Sequence, residues 1–61
     1  MVIDLHFTPD RIARIKGNRT QEAFALDIGV TQGTVSMWLT GLATPRKTIV
    51  IQRLIELEAA L

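Results

Sequence analysis

The sequence has no cysteine. No disulfide can brace it, and no thiolate can hold a zinc ion. It has no tyrosine and one histidine, His6. With only six scattered acids besides, there is no nucleophile with a base and an orienting group at workable spacing. An enzyme is therefore not expected, nor is a metal site or a cofactor. No apolar run approaches the roughly 18 residues that span a membrane, and no secretory signal is visible. The expectation is a reducing, cytoplasmic setting without membrane contact. One further absence is local: no acid lies between Ile28 and Ile55.

What is present is small and apolar. Sixty-one residues allow one domain, 1–61, and 48% of them are hydrophobic. A chain of this length buries only roughly 60% of its unfolded surface, so it is marginally stable alone. Without disulfide or metal, the expected addition is a second subunit, and part of the apolar excess is expected to meet it. The net charge of +1 conceals a polarity. Residues 11–53 hold all seven basic side chains and only two acids, Glu22 and Asp27. A surface that approaches phosphates has this character. Taken without a motif, the same pattern is ordinary solvated charge.

The chain is organised around residues 20–41, TQEAFALDIGVTQGTVSMWLTG. Thr20 suits an N-cap, and a helix over residues 21–28 puts Phe24, Ala25 and Ile28 on one face. Gly29 stops it, since glycine accepts the left-handed conformation of a helix end. Thr31 caps a second helix, residues 32–40, with Val35 and Trp38 as its inner positions, and Gly41 ends it. Ala25 is small enough for two steeply crossing helices to approach closely. Two helices joined by a short glycine-containing turn form a helix-turn-helix, whose second helix enters the DNA major groove.

These residues resemble the phage Cro and repressor type of helix-turn-helix protein. The resemblance rests on Gln21, Ala25, Gly29, Val30, Val35, Trp38 and Gly41, all in register, with Thr44, Pro45 and Arg46 following in a similar way. It implies an all-α, compact four-helix domain like that of lambda repressor, with the helix-turn-helix in helices two and three, and it implies double-stranded DNA as partner. The family usually has a fifth helix, for which this chain has no room. That shifts the expected dimer contact onto helix four and the N-terminal arm.

In chain order, residues 2–7 alternate, with Ile3, Leu5 and Phe7 on one side and Asp4 and His6 on the other, the period of a half-buried strand. Either this strand pairs with its copy in a second subunit, or it lies as an extended arm on the core. Thr8 and Pro9 mark a break and the start of helix one, residues 9–16, with Ile12 and Ile15 facing inward. Helix four is expected from Pro45 or Arg46 toward the C-terminus. Val50, Leu54, Leu57 and Leu61 recur at spacings of 4, 3 and 4, the seam of a helix pair, which Ile51 and Ile55 widen. The dimer contact is accordingly expected at Val50, Leu54, Leu57 and Leu61 together with Ile3 and Leu5.

The expected base contacts are Gln32, Gly33, Thr34, Ser36 and Met37. Gln32 is a planar amide able to pair with adenine N6 and N7, and the resemblance places it at the family's main reading position. Gly33 lets the backbone approach the groove. The Thr34 methyl and Met37 suit thymine methyl groups, so the set favours A·T pairs. The expected phosphate contacts are Gln21, Arg14, Arg19, Thr31, Thr40, Arg46 and Lys47. By resemblance, Arg14 is the helix-one arginine that pairs with an acid of helix three, but that position is Leu39 here, so the ion pair is missing. The functional expectation is a homodimeric, sequence-specific repressor of a near-palindromic operator, with no small-molecule ligand. The competing expectation is a protein-binding module, or an antitoxin-type regulator, on the same fold.

Overall fold

The computed structural model describes residues 5–61. They form four helices, α1 (Pro9–Lys16), α2 (Gln21–Ile28), α3 (Gln32–Thr40) and α4 (Thr48–Ala59), with no strand among the described residues. The fold is all-α and contains the helix-turn-helix in α2 and α3.

Each of the first three helices starts on a threonine. Thr8, Thr20 and Thr31 lie in extended backbone, and each Oγ1 accepts the N–H of the residue three further on, at 3.2, 3.1 and 3.2 Å. One such cap stabilises a helix by about 0.5–2 kcal/mol. Pro9 occupies the first position of α1, where a missing N–H costs nothing. The turn between α2 and α3 depends on Gly29, whose φ of 92° is left-handed. The Gly29 and Val30 N–H groups both donate to the Ala25 carbonyl, at 2.8 and 3.0 Å. A Cβ at Gly29 meets nothing within 4 Å, so glycine is required by the backbone and not by space.

The core draws on every helix. It comprises Phe7, Ile12, Ile15, Phe24, Ala25, Ile28, Val35, Trp38, Val50 and Leu54. α3 packs on α1 and α2, while α4 packs on the same two helices. Buried Ala25 supplies the small contact that lets α2 and α3 come together. The outward face of α3 is thereby left free of other helices at Gln32, Gly33 and Met37, which are exposed.

Two expectations are corrected. α4 starts at Thr48, not at Pro45 or Arg46. Thr44-Pro45 looks like the Thr8-Pro9 pair that starts α1, but the Pro45 ring is buried and residues 43–46 have no helical structure. A residue before proline is held extended, and here that extension carries the chain from α3 to α4. Second, the described part of the expected strand is coil. Leu5 is exposed, while Phe7 turns inward and is buried; Ile3 lies outside the described residues. Val50 and Leu54 are buried in the core of the single chain.

One ion pair ties the ends of the fold together. The Arg11 Nε and Nη2 donate to the two carboxylate oxygens of Glu58, at 2.9 and 2.7 Å. The guanidinium lies 4.1 Å from the centre of the Phe7 ring and also donates to the His6 carbonyl at 3.2 Å. The Arg11 hydrogen bonds hold the Glu58 carboxyl below its ordinary pKa, against the opposing effect of partial burial; the Arg11 and Arg14 charges lower it further.

Candidate nucleic-acid interface

Val35 and Trp38, three residues apart, define the inner stripe of α3. Its opposite side is set by the 100° step of a helix. Gly33, Ser36, Met37 and Thr40 fall there, with Gln32 at the leading edge. Gln32, Gly33 and Met37 are exposed, and Ser36 is half-exposed. Thr34 sits differently. It is half-exposed like Ser36, but the helical step takes it off the opposite side, and its hydroxyl is 2.9 Å from that of Thr31, so it closes the helix start.

Beside α3 runs a groove of about 640 Å³. Thr31, Thr34 and Trp38 of the α3 segment line it together with Pro45, Arg46 and Lys47 of the following loop. Buried Pro45 fixes the loop that carries the two cations, both of which are exposed. Lys47 also stands at the N-terminal boundary of α4, whose first N–H groups have no side-chain cap. Cationic side chains and helix-end N–H groups are the donors that phosphates take.

The other expected phosphate residues are placed less simply. Gln21 opens α2 and is half-buried. Thr31 is a cap, as described. The Thr40 hydroxyl donates back to the Ser36 and Met37 carbonyls, at 3.1 and 3.2 Å, and must leave them to donate to a phosphate. Arg19 is paired with Asp27 at 3.5 Å, both side chains being well exposed, so this pair competes weakly with a phosphate. Arg14 is largely exposed and reaches Glu58 only at 3.9 Å. Leu39 is half-buried against the core.

A family profile described as helix-turn-helix matches residues 11–61. The chain belongs to this family. It is a family of DNA-binding transcription regulators of the Cro and repressor type. No curated protein and no solved structure matches the chain.

Within this helix-turn-helix protein, the acid that accompanies Arg14 comes from α4, through Glu58, where family resemblance would put it on α3. Sequence reasoning missed Arg11, which takes the shorter and doubled contact with the same carboxylate. Nothing local marks it, because its partner lies 47 positions away. Sequence reasoning also gave Ile51 and Ile55 a secondary place. Both are half-buried, and with Leu5, Thr48 and Gln52 they line a second groove of about 310 Å³. Of the remaining expected contact residues, Leu57 is half-buried against the core and Leu61 is exposed. No described helix is long and apolar enough to cross a membrane.

Proposed function

We propose that this helix-turn-helix protein is a sequence-specific regulator of transcription that represses by occupying its operator. It acts in the cytoplasm as a homodimer, each copy laying α3 in the major groove of one half of a near-palindromic site. Half-site centres then lie about 34 Å apart. The observation that carries the reading is the uncovered side of α3, Gln32, Gly33, Ser36 and Met37, together with exposed Arg46 and Lys47 in the groove beside α3 and a stretch without any acid.

The chemistry follows from these groups. The Gln32 amide donates to adenine N7 and accepts from adenine N6–H. Gly33 allows close approach of the backbone, and Met37 lies against thymine methyl groups. Arg14, Arg46 and Lys47 neutralise phosphates and fix the register without reading sequence. Repression needs only that the site be occupied.

Selection of bound sequences from random duplex DNA tests this. The expected outcome is a near-palindrome with A·T pairs under each α3. Recovery of random sequence, bound no better than scrambled DNA, contradicts it. Exposed Leu26 and Leu42 support a second reading, a protein partner on the same fold, which predicts no enrichment of any DNA.

A further inference from the structure

Between Asp27 and Arg46 the chain carries no charged side chain, and the whole of α3 lies inside that stretch. Guanine is read by an arginine or lysine that reaches O6 and N7, and cytosine by an acid that accepts from N4. α3 offers neither. Most hydroxyls at its surface are also engaged. Those of Thr31 and Thr34 lie 2.9 Å apart, and that of Thr40 donates to the Ser36 and Met37 carbonyls. Gly33 adds no side chain. Of the polar side chains on the uncovered side, only the Gln32 amide and the Ser36 hydroxyl are without a hydrogen bond among the described residues. A lone hydroxyl bonds to any base. Gln32 is exposed at the first position of α3, and its amide holds a donor and an acceptor in one plane, the pair that matches adenine N7 and N6–H. The first residues of a reading helix are those that reach base edges.

We infer that α3 discriminates the methylation state of adenine: the chain holds its site while the adenine under Gln32 has a free N6 amino group and is released when that nitrogen is methylated. The inference rests on the adenine contact of the proposed function and adds a chemical mark that regulates it. In a base pair, one N6 hydrogen bonds to thymine O4 and the other stands in the major groove beside N7. A methyl group that leaves the pair intact takes the place of the second hydrogen. The Gln32 Oε1 then loses its donor and meets a carbon, and the methyl group crowds the approach of Nε2 to N7. With no charged reader on α3, no second contact of similar strength holds the base in its stead. Contacts to phosphates are blind to the mark, so the loss falls on specific binding alone.

The test places N6-methyladenine in turn at each adenine of the duplex recovered by selection, with 7-deazaadenine at the same positions as a control that removes only the N7 acceptor. Competition binding of the full chain is the readout. One adenine in each half-site should respond to both changes, with affinity falling about tenfold to a hundredfold for the methyl group. In Gln32→Ala the same methyl group should leave affinity unchanged, since the amide that it blocks is gone. Scrambled DNA should bind equally with and without the mark. Methylation without effect at every adenine overturns the inference; where 7-deazaadenine still weakens binding, the proposed function stands. A methyl effect as large in Gln32→Ala as in the native chain also overturns the inference, because the mark then acts through the shape of the DNA or through another residue. So does a selected duplex with no adenine under α3. If no duplex is bound above scrambled DNA, the proposed function falls and the inference falls with it.

Discussion

Leu54→Ala separates a core role for α4 from an interface role. Leu54 has 0% of its surface exposed in the single chain. The substitution removes three carbons, worth roughly 2.4 kcal/mol of transfer free energy at about 0.8 per methylene. Incomplete collapse of the cavity brings the loss to about 2–5 kcal/mol. At about 0.05–0.15 kcal/mol per residue, a chain of this size has only roughly 3–9 kcal/mol in all. The variant is therefore expected to be barely folded at room temperature. Leu54→Val makes the same test at a smaller loss. The assay is thermal unfolding followed by circular dichroism over about a hundredfold range of protein concentration. A core residue loses the same stability at every concentration, whereas an interface residue loses it only where the subunits are associated. A loss below about 1 kcal/mol, or one that vanishes on dilution, refutes the placement of Leu54 in the core.

Other expectations follow from the same structure. Gln32→Ala should cost about 1–3 kcal/mol at one base pair of a selected site and nothing on scrambled DNA, whereas Lys47→Ala should weaken both alike; competition binding decides. Gly29→Ala should destabilise the fold by about 1 kcal/mol or more through its positive φ, with Gly29→Asn milder, as read from denaturant midpoints. For Glu58 the folded pKa lies below the unfolded value of about 4.5, so its contribution is full above that pH and is lost as pH falls through the folded value. The stability difference between the native chain and Glu58→Gln should be largest near neutrality and shrink below pH about 4.5. A difference that grows in acid contradicts the Arg11–Glu58 pairing.

Much of the helix-turn-helix is written locally, in residue types whose effect needs no distant partner. Thr20 and Thr31 cap, Gly29 and Gly41 take positive φ, and Phe24, Ala25, Ile28, Val35 and Trp38 recur at helical spacing. The start of α4 is not written that way. Its N-cap is Lys47, a poor capping residue, and the stronger local signal at Thr44-Pro45 is overruled by burial of the proline ring. Periodicity alone also could not divide the apolar residues of α4 between core and surface. Val50, Ile51, Leu54 and Ile55 read as one broad face until α1 and α2 cover Val50 and Leu54. Alternation predicts one side of a strand for Phe7, but Arg11 and the core hold it in coil. On the reading face, which α3 residues stand clear was legible from the helical step. That the Thr34 and Thr40 hydroxyls are already bonded to their own helix was not.

The central claim, that the cations around α3 meet a DNA backbone, is tested most directly by the salt dependence of binding to duplex DNA. Arg14, Arg46 and Lys47 in each of two copies neutralise six phosphates. At a slope of about −0.9 per phosphate, the logarithm of the affinity should fall by about 5 for each tenfold rise in salt. A slope near zero, or no measurable binding at low salt, contradicts the account.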